Sequence, residues 1–414
     1  MTEAQIVDLN RYDEHIKIAD WLQATEMPSA LVLTETLESV GGRDDIIFPP
    51  TYARKGGDHP YSIDVLKFGK TAPAPPDGEH NTCLLDSVGS QANRMENCFA
   101  KRQEQPNSLS ELVPQIVVEA EGQSINLLEA GHRIADAAVR FSALEDEARA
   151  TIKAMQDKGD SLALAKLAPT SLVFGFWDSR DTGYKSGRLL SSTIRASNVA
   201  VVSRSGQYVP SYDTKELGLT AESFKSESPD DEQQDDLSDT VWAKLGLVSV
   251  PVPATKSTAV VRVENKVVGM HGGVRVLGEI VRRTQLNLVG LRSLVALADG
   301  GQVDADKTMK LRRYILGLAL IAGRCQTDYK LREGCNLVNS PDKPPQAETV
   351  YADGKREPFD WNIVQVFAFA RQAAQDFGVQ PQPPRNVPFS IEKVRAAVKK
   401  EEGKKPKKAA GGKK

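Results

Sequence analysis

In "SALVLTETLESV", residues 29–40, apolar and β-branched positions interleave with polar ones, which predicts a strand or a strand entering a helix. Residues 41–81 keep neither period; Pro49-Pro50, Gly56-Gly57 and "APAPPDG" predict a long irregular excursion. In "NTCLLDSVGSQANRMENCFAKRQ" an apolar strand runs to Asp86 or Ser87 as cap, after which Val88, Ala92, Met95 and Phe99 recur at helical spacing. A second such unit follows: "PQIVVEA" as a strand, "EGQ" as a turn, and "SINLLEAGHRIADAAVRF" as a helix with Leu127, Gly131, Ile134, Ala138 and Phe141 on one side. Charged helical sequence continues to about residue 158, and after Pro169 the run "SLVFGFWDS" is β-rich. "NVAVVSRSGQYVP" predicts a further strand, and "VVRVENKVVGMHGGVRVLGEIVRRTQLNL" a hairpin turning at Gly272-Gly273, with Val274, Val276 and Ile280 opposite Arg275. "TMKLRRYILGLALIAG" predicts a buried helix, "CQTDYKLREGCNLV" a strand pair, and "WNIVQVFAFARQAAQDFG" a helix closed by Gly378. Strands and helices alternate irregularly, so the expected class is α+β, with a single body over residues 1–392 and candidate insertions at 41–81 and 205–255.

Charge changes this picture at the C-terminus. Residues 393–414 hold ten Lys or Arg and two Glu, a net of +8, while the whole chain is at −2. The body is therefore acidic, and the low-complexity basic tail is expected to be disordered. Residues 222–239 carry eight acidic residues and one Lys, the composition of a surface loop. With 414 residues and 40% apolar content, the chain can bury a large core. The four cysteines have neither zinc-ligand spacing nor the density of a disulfide scaffold, which fits a reducing compartment. No secretory signal is visible in the acidic first 30 residues, and the run "ILGLALIAG" is far short of the ~18 residues a membrane span needs. A soluble, cytoplasmic protein without membrane partners is expected.

The strongest candidate site is "DSRDTGYKSGRLLSSTIRAS", residues 178–197. Gly183 and Gly187 allow close backbone approach, and Ser191, Ser192 and Thr193 are read as the start of a helical turn with outward N–H groups. Arg180, Lys185, Arg188 and Arg195 against Asp178 and Asp181 make the segment locally +2, suited to phosphate; the competing reading is a solvated loop. Gln91, Asn93 and Arg94 lie off the apolar face of their helix, where amides and a guanidinium can meet sugar, phosphate or base edges, or simply water. His132 and Arg133 fall at the edge of an apolar stripe. None of the metalloprotease, nucleophile-elbow or P-loop motifs occurs, and the five histidines are scattered, so neither a metal nor a cofactor is expected. His271 is a candidate general base for metal-free RNA cleavage, or a histidine with no chemistry.

In order and spacing, "CLLDSVGSQANRME", "LLEAGHRIADAAVR" and "KLAPTSLVFGFWDSRDTGYKSGRLLSSTIRASNV" resemble the CRISPR-associated RAMP-superfamily backbone subunit of type I-G, formerly I-U, interference (Cascade) complexes. The resemblance covers about residues 80–210 closely and the rest loosely. It implies a modified RRM-like (ferredoxin-like) palm with thumb and finger insertions, and copies that polymerise along one CRISPR guide RNA beside other subunits of the complex. The guide then selects target DNA by pairing. The resemblance makes Lys185, Arg188, Ser191, Ser192 and Arg195 the main candidates for guide contacts, with Arg180, Thr193, Asn198, Gln91, Asn93, Arg94, His132 and Arg133 completing the set. The chain departs from relatives that cut RNA: "GMHGGVRVLGE" is at most a partial likeness to the Gly-rich loop of processing nucleases, and no aspartate matches the target-cutting one. No cleavage is expected. The alternatives are a RAMP-type endoribonuclease that processes guide precursor with His271 as base, and a DNA-interacting accessory protein whose affinity resides in the basic tail.

Overall fold

The computed structural model describes Leu22 and residues 27–52, 60–65, 81–100, 109–204, 206–211, 216–217, 250–252, 260–263, 266–326 and 329–404. The acidic run 222–239, most of the 205–255 candidate insertion, and residues 405–414 of the tail lie outside them.

Alternating strands build the main sheet: β1 (Ala30–Ser39), β2 (Asn81–Asp86), β3 (Leu190–Ser197), β4 (Ile280–Asn287), β5 (Cys335–Asn339) and β6 (Gln346–Val350). Its helices are α1 (Val88–Asn97), α2 (Ala305–Cys325) and α3 (Ile363–Phe377). Antiparallel pairing gives the spatial order β5 and β6, then β1, β4, β3 and β2, with β5 and β6 sharing the far edge of β1. Consequently β1 and β3 run parallel with β4 between them, and β4 runs parallel to β5 and β6 with β1 between. Helix α1 lies in the first connection and α2 in the second, so the sheet holds two interlocked split β-α-β units. The class is α+β.

One face of the sheet is covered throughout. At one end Leu31, Leu33, Leu190 and Leu286 join the apolar cluster under α1 and α2, and α3 packs on α2. Helix α2 reaches α3 closely because Gly317 lacks a side chain: a Cβ there would stand 2.8 Å from Ala370 Cα. At the other end Leu37, Ile194, Ala196 and Ile280 meet Val274 and Ile47 of a second, smaller sheet. Between the two apolar clusters lies a buried polar network. Arg282, 0% exposed, pairs with the Glu35 carboxylate and donates to Gln91 Oε1 at 3.0 Å and the Gly323 carbonyl at 3.2 Å. Ser192 donates to Gln91 Oε1 at 3.1 Å and accepts from Thr284 at 2.9 Å. Buried polar groups in such a setting are costly unless each finds a partner, and here they partner one another.

Several local expectations are corrected. Residues 127–140 form not one helix but turns at Leu127–Glu129 and Arg133–Ala135, then a short helix Ala137–Arg140. Asn126 and Asp136 cap successive starts, and Arg133 at φ +55° interrupts the run, so local side-chain bonding outweighs the apolar period. In the β-rich run after Pro169, residues 171–174 belong instead to the helix Pro169–Phe174, buried at every position, where apolar content cannot separate strand from helix, and only Phe176–Trp177 is strand. Ser191, Ser192 and Thr193 begin no helix; they lie inside β3. Gly272 and Gly273 sit within the strand Lys266–Val276, and the chain turns at residues 277–279. A Cβ on Gly273 would lie 2.6 Å from the Ile47 carbonyl oxygen, so these glycines serve close strand packing. The expected tail disorder does not start at 393, because Ile391–Lys404 is helical.

Candidate functional site

Strand alternation divides the candidates between the two sheet faces. On β3, Leu190, Ser192, Ile194 and Ala196 are buried, while Ser191 and Thr193 are half-buried and Arg195 is exposed. On β4, Arg282, Thr284 and Leu286 point inward, leaving Arg283 and Gln285 exposed. The register aligns Thr193, Arg283 and Thr34 across three strands, and beside them Ser191, Gln285 and Val32. The face opposite the helices thus carries hydroxyls, an amide and two guanidiniums. Arg195 reaches Asp64 at 3.3 Å in an exposed pair, which an incoming anion could exchange at little cost. Arg283 has no ion-pair partner among the described residues.

A second group of candidates lies on a locked hairpin. Phe176–Trp177 pairs with Lys185–Ser186, and the intervening loop is organised by Asp178, 3% exposed. Its carboxylate accepts from the Thr182 backbone N–H at 2.9 Å and hydroxyl at 2.7 Å, and from Arg140 at 3.4 Å. Asp181 pairs with Arg149 at 2.6 Å. Arginines from elsewhere therefore neutralise both acids of the loop. Arg180, Lys185 and Arg188 stay exposed without an acidic partner among the described residues. Gly175, at φ +71°, makes the base of this hairpin possible, since a Cβ would meet the Ser186 carbonyl oxygen at 2.8 Å and the Arg188 nitrogen at 3.0 Å.

Side chains of all three quoted motifs meet beneath the hairpin. Arg133, 4% exposed, pairs with Glu96 at 2.7 Å, donates to Asn93 Oδ1 at 3.2 Å and to the Gly175 carbonyl at 3.3 Å, and lies over the Phe174 ring. Burial pushes the Glu96 carboxyl up to about 7 against the opposing pull of Arg133. Because the folded value is raised, the group's contribution to stability is full below its ordinary 4.5 and is lost as pH rises through about 7. Thermal melts at several pH values should therefore show wild type losing ground to Glu96→Gln between pH 4.5 and 7; a constant gap would contradict this.

The candidates separate as follows. Ser191, Thr193 and Arg195 line the open sheet face, and Arg180, Lys185 and Arg188 line the hairpin. Asn93 and His132 are exposed beside the Arg133 turn. Gln91 and Ser192 belong to the buried network, at 0% and 1% exposure, and offer no surface to a ligand. Arg94 binds Asp86 at 3.0 Å and the Leu331 carbonyl at 2.8 Å, tying α1 to a neighbouring strand. Arg133 is likewise internal. Asn198, at φ +49°, forms the left-handed corner that carries the chain from β3 into the smaller sheet. His271 is half-buried mid-strand with Nδ1 2.7 Å from the Tyr61 hydroxyl, and burial with Arg332 and Arg204 lowers its pKa. Sequence reasoning missed Arg283 and Trp177; the signals were the alternation of "IVRRTQLN" and an aromatic directly before a basic loop.

Chemically, the arrangement suits a flexible polyanion: spaced guanidiniums and an ammonium for phosphates, hydroxyls and an amide for sugar or base edges. Among the described residues no cluster of His, Cys, Asp or Glu could hold a metal ion, and no helix is long and apolar enough to cross a membrane. No curated protein matches the chain. Residues 31–201, fewer than half of the 414, match the family model described as CRISPR-associated protein GSU0053. The matched stretch runs from β1 through β3 and contains all three motifs, α1, the Arg133 turn and the hairpin. The segment that carries the hairpin and β3, though not Arg283 on β4, is thus similar to the GSU0053 family of CRISPR-associated proteins.

Proposed function

We propose that this chain is the guide-RNA-binding backbone subunit of a type I-G CRISPR surveillance complex, polymerising along the guide beside other subunits. The observation that carries the proposal is the polar sheet face of Ser191, Thr193, Arg195 and Arg283, opposite the helices and accompanied by the basic hairpin. RNA-binding domains of the RRM type use the sheet face opposite their helices. The order β5 and β6, β1, β4, β3 supports a modified RRM-like palm, with β2 and then the strand Ile63–Val65 added beyond β3.

In this reading the subunit grips phosphates and ribose hydroxyls without reading bases, and the guide pairs with target DNA. It holds RNA without cutting it. A His271→Ala protein separates this from the endoribonuclease reading, which requires precursor cleavage in wild type and its loss in the variant. The direct test is coexpression with the guide locus. A discrete guide-length RNA should copurify with wild type in a large particle and be lost from an Arg188→Glu, Arg283→Glu protein. Wild type free of RNA with partner subunits present would sink the proposal.

A further inference from the structure

Trp177 is 60% exposed, whereas Trp361 is 5% exposed. Its exposure follows from the two-residue strand that carries it: Phe176 enters the core at 6% exposure and packs near Tyr184, so the next side chain faces outward. Its cross-strand partner is Lys185, whose Nζ lies 6.0 Å from the indole centroid. The buried Asp178 turn and the Gly175 crossing hold this hairpin in shape, so the ring is presented on a rigid mount. The surroundings identify the occupant. An indole at the centre of a protein contact is ringed by apolar neighbours that exclude water. The hairpin instead presents Arg180, Lys185 and Arg188, and no second large apolar side chain on it is exposed. A ligand that matches has flat apolar faces linked by anions.

We propose that Trp177 is a stacking platform for one unpaired base of single-stranded RNA, with Lys185 taking the adjoining phosphate. The inference rests on the guide-binding reading and adds a contact that the cations alone do not supply. Stacking is tolerant of base identity because every base has a π-face, which suits a subunit that holds a guide of arbitrary sequence.

The test is equilibrium binding of labelled oligouridine and oligoadenosine to the full chain. Trp177→Ala is expected to weaken both by about 5- to 150-fold, the range that single base–aromatic stacks contribute. Trp177→Phe should recover most of that loss and Trp177→Leu, apolar without a π-face, should not. RNA should quench indole fluorescence in wild type and much less in Trp177→Ala. If Trp177→Ala binds as wild type while Arg188→Glu, Arg283→Glu is weakened, the stacking role is overturned and the guide-binding reading stands. Retained RNA affinity with impaired self-association would equally overturn it, making Trp177 a contact between copies. If wild type itself binds neither oligonucleotide, both the inference and the reading beneath it fail.

Discussion

Arg282→Ala is expected to destabilise the protein by about 3–5 kcal/mol, read as a lowered urea midpoint, because it breaks a buried ion pair by removing one partner. Arg282 is 0% and Glu35 2% exposed, so water does not replace the lost guanidinium. The Gln91 and Gly323 oxygens that accept from it at 3.0 and 3.2 Å lose a donor at the same time. Glu35 keeps Arg324 at 3.4 Å and the Tyr329 hydroxyl at 3.1 Å, which places the expected loss at the lower part of that range. Replacing both charges, as in Glu35→Leu with Arg282→Met, should recover part of the loss: neither partner is left as a buried lone charge, and Arg324, which loses Glu35, is 26% exposed and can be solvated. A single variant with an unchanged midpoint would show that the network does not hold the two apolar clusters together.

Arg188→Glu with Arg283→Glu is expected to lower affinity for single-stranded RNA by over a hundredfold, about 3 kcal/mol or more for two lost charge-assisted contacts. The two residues sample both parts of the site, Arg188 at the hairpin and Arg283 at the centre of the open face. Both are exposed, and neither has an ion-pair partner among the described residues, so the exchange leaves no internal charge stranded and the fold should be retained. Counterion release supplies a second readout: the slope of log affinity against log salt should become shallower by about 0.7 for each phosphate contact removed. Reduced affinity with an unchanged salt slope would argue that the two arginines act through structure. Unchanged affinity would remove the cationic basis of the proposal.

Much of this site was legible along the chain. The run of glycines and cations at 178–197 marked a basic loop after an apolar run, though not its pairing as a hairpin or the strand that follows. The order of three motifs pointed to the resemblance that the family model shares. The division of β3 was less accessible. "SSTIR" reads equally well as a polar turn or a strand edge, and only pairing with β4 sends Ser192 inward to Gln91 and leaves Ser191 and Thr193 outward. Gln91 and Arg133 look like surface groups by residue type, yet their partners lie 101 and 42 residues away in the sequence.

The sequence by itself determined what depends on neighbours in the chain: the periods of β1, α1, α2 and α3, the Ser87 and Gly378 caps and the local excess of positive charge. The periods read at 127–140 and after Pro169 and the turn read at Gly272-Gly273 gave way to capping bonds or tertiary packing. The tertiary structure alone decided which polar groups are spent inside the protein and which remain for a ligand. Burial, register and ion pairing are set by residues far apart in the chain, so two adjacent arginines such as Arg282 and Arg283, identical in type, end as a buried structural ion and an exposed cation.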